Sequence, residues 1–338
     1  MATTLRIKGK RVWLLCALAM IAVVFSYCYI KITNVTIPNT AAVGEVVPIT
    51  LTIENSCNSG GTANVVLCVL MPKGWKGAEN LTGTYTSSKG NGNMVPVSTS
   101  TAAPNSNGLN WPDYAKKTFG LAGNLIDDME WVTIQTDKAI TYANGDKING
   151  TINLKLKVGA DNNAALVKLA YVVANTTNGF TSDGFQESPY GATAEYYNEY
   201  VGNNFSVTGG TGDLIDYVNP QLTTINPPKS LDNDIITLTY NGNIISTGLS
   251  GSTAVYLCAT ATTSDGKTYT VCDKTAKTTL TQTSTGIYQI TLWPKSFFGI
   301  SDGQTLTGMT YYITNQAGTV QVGYGNTAAA FTYKFKCG

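Results

Sequence analysis

The chain has 338 residues, with 22 Lys and Arg against 21 Asp and Glu, and its 13% share of charged residues is about half that of an ordinary soluble domain. A net charge of +1 with thinly spread bases excludes a nucleic-acid footprint, which needs a clustered basic face. The absence of histidine excludes Ser-His-Asp, Cys-His and His-containing zinc chemistry.

The N-terminus reads in three parts. "RIKGKR" (6–11) is a basic segment, "VWLLCALAMIAVVF" (12–25) is apolar, and "SYC" closes the run at Cys28. The apolar part has signal-peptide length and falls short of the roughly 20 residues a spanning helix wants. Residues 1–28 are therefore expected to be a signal peptide, with an uncleaved signal anchor as the alternative. Strand-like sequence follows at once, so Cys28 stands where a lipid tether would be attached. Ser26 suits such a site, and Tyr27 is larger than the usual pattern.

Residues with high β propensity dominate the longer apolar segments, which predicts an all-β protein of two, or three, antiparallel sandwiches. "VTIPNTAAVGEVVPITLTIEN" (35–55) reads as the opening of an immunoglobulin-like sandwich, with a turn at Gly44-Glu45 and period-two alternation after it. "ANVVLCVLMPKGW" (63–75) is a continuous apolar run, as for a central strand, stopped by Pro72 and Gly74. Residues 76–124 are polar and turn-rich and are expected to be long loops or a weakly ordered insertion. Strands resume over 130–159, and "ALVKLAYVVANTTNGF" (165–180) reads as a strand pair. "NPQLTTINPPKSLDND" (219–234), with its prolines and turn residues, is the best boundary. It separates an N-terminal domain, 29–222, from a C-terminal sandwich, 229–338, whose strands include "AVYLCATATT", "TYTVC", "GIYQITLWP" and "TGMTYYITNQ".

With Cys16 in the apolar leader, Cys57, Cys68, Cys258, Cys272 and Cys337 remain. Cys57/Cys68 and Cys258/Cys272 each flank a turn-containing segment and could bridge neighbouring strands outside the cytoplasm. Buried free thiols are the reading given slightly more weight, because bridges between adjacent hairpin strands close short loops.

Three sets of residues could carry chemistry. The first is aromatic: Tyr256, Tyr269, Trp293, Tyr311 and Tyr312. Sugars stack C–H faces on exposed rings, while amides bind their hydroxyls. In "GIYQITLWP", Tyr288, Ile290 and Leu292 form the core face, which leaves Gln289 and Trp293 on the accessible side. Tyr269 and Trp293 are the candidate stacking rings and Gln289 the candidate hydrogen-bonding amide. The second set is "DDMEW", with Asp127, Asp128 and Glu130. A glycosidase needs two carboxylates across the scissile bond, but the plainer reading is a solvated strand entry with Trp131 in the core. The third is "LDNDI", with Asp232, Asn233 and Asp234; it lacks the spacing of a calcium loop, and a turn capped by Asp and Asn is favoured. No cofactor or metal is called for.

Taken in order, "VLMPKGW" (69–75), "GNLIDDMEWVTIQTD" (123–137), "DYVNPQLTTINPP" (216–228), "DIITLTYNG" (234–242), "AVYLCATATTSDGKTYTV" (254–271) and "ITLWPKSFFGISDGQTLTGMTYYITNQAG" (290–318) resemble the Bacteroidetes outer-membrane family DUF4961. The C-terminal half resembles starch-binding modules of the SusE/SusF type, in which a Trp often follows the first hairpin; Tyr269 takes that place here. The resemblance implies a non-catalytic lipoprotein, anchored to the outer membrane through Cys28, that binds polysaccharide or oligosaccharide beside SusC/SusD-like proteins. It lacks the acidic run that often follows the cysteine in exported members. The alternative is a pilus-like or adhesin-like surface protein binding protein partners through exposed strand edges.

Overall fold

The computed structural model describes residues 29–57, 59–120, 128–182, 196–212 and 214–336. The leader, Cys28, Asp127 and Cys337 lie outside the described residues. Among the described residues no helix is long and apolar enough to cross a membrane, which says nothing of a membrane β-barrel. Residues 29–120 and 128–214 form one compact unit and 215–336 a second.

The first unit begins with β1 (Tyr29–Thr36), β2 (Thr40–Ala42), β3 (Val46–Ser56), β4 (Gly61–Ala63) and β5 (Val65–Pro72). A short helix, α1 (Gly77–Asn80), leads into β6 (Leu81–Ser87) and β7 (Gly90–Pro96). Then come α2 (Trp111–Phe119), β8 (Met129–Thr136), β9 (Ile140–Tyr142), β10 (Lys147–Lys157), β11 (Ala164–Asn175) and β12 (Asn198–Thr208). The main sheet runs β1-β3-β10-β6-β7-β8-β5-β11-β12-β2, and its neighbours are antiparallel except the parallel pair β12–β2. The amide of Ile32 in β1 donates to Asn198 Oδ1 in β12 at 2.9 Å. The sheet therefore curls until its two ends meet around a core.

Alternation builds that core. In β3, Val47, Ile49 and Leu51 are buried, as are Ile152, Leu154 and Leu156 in β10, while their neighbours face out. β5 is buried almost throughout, as its continuous apolar run predicts, because both of its faces are covered. Helix α2 packs on β8 and β5. It starts where Asn110 Oδ1 accepts from the Asp113 amide at 2.8 Å, with a proline in the first turn, and ends at Gly120, whose φ of +74° suits glycine. Beneath it Phe180 gathers the rings of Trp111, Tyr114, Phe119 and Tyr197 at centroid distances of 4.7 to 5.9 Å.

Two expectations change here. Residues 76–124 hold the hairpin β6–β7 and helix α2, where long loops were expected. Residues 165–180 hold most of one long strand, β11, where a pair was expected.

The second unit is entered from β13 (Leu214–Asp216). It holds β14 (Thr223–Asn226), β15 (Ile236–Asn241), β16 (Val255–Thr263), β17 (Thr268–Val271), β18 (Thr279–Ser284) and β19 (Ile287–Leu292). Helix α3 (Pro294–Phe298), β20 (Leu306–Asn315), β21 (Gln321–Val322) and β22 (Phe331–Lys334) complete it. The division at 214/215 precedes the proline-containing segment 219–234, whose β14 is an edge strand of the second unit. The sheet runs β14-β15-β19-β18-β16-β20-β21, with β17 on β16 and β22 on β20. β18 pairs with β16 through its first two residues and with β19 through the rest, so the sheet folds there into two layers. Leu238, Tyr240, Leu257, Ala261, Ile290 and Ile313 are among the residues buried between them. Tyr288, Ile290 and Leu292 are buried, as the alternation of "IYQITL" predicts.

Cys258 and Cys272 form a disulfide with Cα atoms 4.1 Å apart. They sit one step beyond the Ala259–Val271 pair of β16 and β17. The weighting towards free thiols is thus corrected for this pair, since the strand register sets the two sulfurs face to face. Cys68, by contrast, is a fully buried thiol 3.4 Å from Thr133 Oγ1, and burial pushes it up to about 12.

One buried carboxylate braces the second unit. Burial drives the Asp216 carboxyl up, but bonds from Tyr324 OH, the Asn219 side chain and the amides of Asn219 and Val218 outweigh it and leave it below its ordinary value.

Candidate functional site

The three side chains expected to bind sugar do not share one face. In β17 the alternation runs Thr268 out, Tyr269 in, Thr270 out, Val271 in. Tyr269 lies opposite Ala261, its ring packs against the core of the second unit, and its hydroxyl donates to Gln304 Oε1 at 3.0 Å. It is therefore not an exposed platform. Tyr256 and Tyr311 are buried, and Tyr312 is half-buried with its hydroxyl on the Ala328 carbonyl.

Trp293 and Gln289 do share a face, the outer side of β14, β15, β19 and β18. Trp293 follows β19 and is 48% exposed, and its Nε1 donates to Asn233 Oδ1 at 2.9 Å, which fixes the plane of the ring. One step past the Ile236–Leu292 pair, Ile235 stands across from it, 68% exposed. The two make an apolar end to the face.

Beyond that end lie two rows in register across the strands. Asn226, Thr237 and Thr291 form the first, and the hydroxyls of Thr237 and Thr291 are 2.9 Å apart. Thr224, Thr239, Gln289 and Thr281 form the second, with Gln289 Nε2 donating to Thr239 Oγ1 at 3.1 Å. With strands about 4.8 Å apart, the second row spans about 14 Å, and the rows lie about 6.7 Å apart along the strands. Each hydroxyl and amide keeps further donor or acceptor capacity beyond these bonds. Asn233 was expected only as part of a turn, and Ile235 and the threonines were not expected at a site; period-two reading of "DIITLTYNG" around the core positions finds Ile235, Thr237 and Thr239 on one face.

The acidic motifs take structural roles. Asp232 is buried, accepts from the Leu306 amide at 2.8 Å and lies 3.5 Å from Lys295 Nζ. Asp234 accepts from the Leu231 amide at 2.8 Å, closing the turn expected there. Among the described residues no cluster of His, Cys, Asp or Glu could hold a metal ion.

Glu130 lines a cleft of 340 Å³ in the first unit, together with Lys73, Gly77, Val97, Asp113 and Lys116. The cleft runs beside the edge of β8. β7 leaves that edge after pairing Pro96 with Ile134, so Met129–Val132 have no strand on that side among the described residues. Burial raises the Glu130 carboxyl above its ordinary value, against the Gly77 amide and the Lys73 charge.

These features define an all-β protein of two sandwich-like units, the second with an uncharged outer face ending in an exposed tryptophan. The chain belongs to the DUF4961 family: the pattern described as "Domain of unknown function (DUF4961)" matches residues 30–221, and "Domain of unknown function (DUF8578)" matches 223–322. No curated protein matches the sequence. Among solved structures, the pilus 2b backbone protein of group B streptococcus is 13% identical, with 90% of each chain covered and a TM-score of 0.22. BcpA, the major pilin subunit of Bacillus cereus, is 10% identical over 90% of this chain and 67% of its own, with a TM-score of 0.20. AvmM, which catalyses macrocyclization in alchivemycin A biosynthesis, is 8% identical over 55% of this chain and 92% of its own, with a TM-score of 0.28. At such scores these likenesses carry no argument about function.

Proposed function

We propose that the protein is a non-catalytic cell-envelope lipoprotein that binds polysaccharide as an accessory to a Sus-type glycan uptake system. The observation that carries this reading is Trp293: a large ring, half exposed, held in plane by Asn233 and set at the end of a rigid face of hydroxyls and amides. An exposed aromatic beside neutral hydrogen-bonding groups matches a sugar, which is apolar on its C–H faces and polar at its rim. Gln289 supplies the amide of the second row. Tyr269, turned inward, has no part in it.

Two features support placement in the envelope. A disulfide such as Cys258–Cys272 persists in oxidising compartments. The leader ending at Cys28 supplies a route of export and a point of lipid attachment. Glu130 and Asp232 are engaged by structural partners, and the chain has no histidine, which favours binding over catalysis.

The test is affinity gel electrophoresis against a panel of plant, host and microbial polysaccharides. Retardation by at least one glycan is expected, weakened by about tenfold or more in Trp293→Ala. Unchanged retardation in that variant removes the site.

A second reading, a structural or adhesive surface protein, is favoured by the open edge of β8 beside the 340 Å³ cleft. An unpaired edge can accept a strand from a partner. Self-assembly of the purified protein, with no glycan retained, would select this reading.

A further inference from the structure

We infer that the outer face of the second unit selects uncharged glycan chains and binds them across the strands, along its rows. This deepens the polysaccharide-binding reading and rests on it.

The face is built from threonine hydroxyls and the amides of Asn226 and Gln289, with the apolar pair Trp293 and Ile235 at one end. None of the row side chains carries a charge. Hydroxyls and amides both donate and accept, as sugar hydroxyls do. A uronate or sulfate set on this face gives up part of its hydration and meets no counter-charge in the rows, which costs more than neutral hydroxyls can return. Of the charges nearest in the chain, Asp232 is paired with Lys295, and Asp234, exposed and bonded only to the Leu231 amide, keeps a negative charge that repels an acidic chain.

Direction follows from the register. The row through Gln289 crosses four strands as an unbroken line of polar groups. Along β19, by contrast, Gln289 and Thr291 give way to Trp293, so a chain laid that way exchanges its hydrogen bonds for one ring. A chain laid over the first row keeps polar contact through its length, with Trp293 and Ile235 one step, about 6.7 Å, to one side and the Gln289 row one step to the other. A neutral face also predicts binding that salt does not screen.

The experiment is affinity electrophoresis of the whole protein in gels holding neutral chains (dextran, mixed-linkage β-glucan, galactomannan, mannan) or acidic ones (alginate, pectate, hyaluronan). It is run at low and at high sodium chloride. The expected result is retardation by one or more neutral chains, unchanged by salt, with at least tenfold weaker retardation by the acidic set. Gln289→Glu and Thr281→Glu each place a carboxylate in the row without touching the core. Both should weaken neutral retardation severalfold while melting like the parent. Retardation by acidic chains equal to or above that by neutral ones, or loss of retardation with salt, overturns the selectivity and leaves the binding reading standing. Loss with Trp293→Ala but not with either row variant overturns the direction. Retardation by no chain of either set overturns the binding reading and this inference together.

Discussion

Removing the disulfide by Cys258→Ala with Cys272→Ala tests how the second unit is held together. The two residues are 14 apart in sequence and join β16 to β17, which are paired only from Ala259–Val271 to Thr262–Thr268. Closing a loop of that length restricts the unfolded chain by about 3 kcal/mol in the chain-entropy account. Both cysteines are half-buried, so alanine forfeits little packing. A loss of this size lowers the melting temperature of a small domain by on the order of 10–20 °C. Differential scanning calorimetry should show the transition of the second unit falling by that amount, while the transition of the first unit stays in place as an internal reference. A variant that melts within about 3 °C of the parent would refute the reasoning, since strand pairing alone would then hold β17. So would a non-reduced digest of the parent in which both cysteines take up an alkylating label.

Asp216→Ala leaves the Tyr324 hydroxyl and two backbone amides without their partner, and about 3 kcal/mol of stability should be lost in chemical denaturation. Because the Asp216 carboxyl is held below its ordinary value, its contribution is present above the unfolded value and is lost as pH falls through the folded one. The parent should therefore weaken below about pH 4 more steeply than Asp216→Ala does, and parallel profiles would refute this. Glu130 has the opposite sign: raised by burial, its contribution is present below the ordinary carboxylate value and lost as pH rises through the folded one. Glu130→Gln should stabilise the first unit at pH 7 by no more than about 1 kcal/mol and not at pH 4; a loss at pH 7 would show that the Lys73 contact dominates. Trp293→Ala should leave the melting temperature almost unchanged, since an exposed ring away from the core contributes within about 0.5 kcal/mol, and a large fall would assign Trp293 to packing.

Strands were legible where one face is buried and the other wet. β3, β15 and β19 alternate in sequence as they do in burial, because each has a single core face. The hairpin β6–β7 escaped notice because few of its residues are apolar and inward: Leu81, Tyr85 and Met94 carry its core face among Thr, Gly, Asn and Ser. Two of its three glycines, Gly83 and Gly92, are packing residues rather than turn signals, and a Cβ on Gly83 would stand 2.7 Å from Leu154 Cδ2. The inward turn of Tyr269 was in principle readable from "TYTV", where the two less polar residues share one parity. The rows beside Trp293 depend on the register of four strands separated by as many as 65 residues, from Thr224 to Gln289, and local pattern holds no record of such pairing.

The parallel pairing of β2 with β12 has a mechanical consequence. Ile32 bonds to Asn198, and further on the Ser206 amide bonds to the Asn39 carbonyl and the Val43 amide to the Thr208 carbonyl. Strand β2 thus runs alongside β12 in the same direction, and β1 is tied to β12 by the bond from Ile32 to the Asn198 side chain. A pull that draws residue 29 one way and residue 208 the other slides these strands past each other instead of peeling them apart. The bonds between β2 and β12 then bear the load side by side, where peeling would break them one after another.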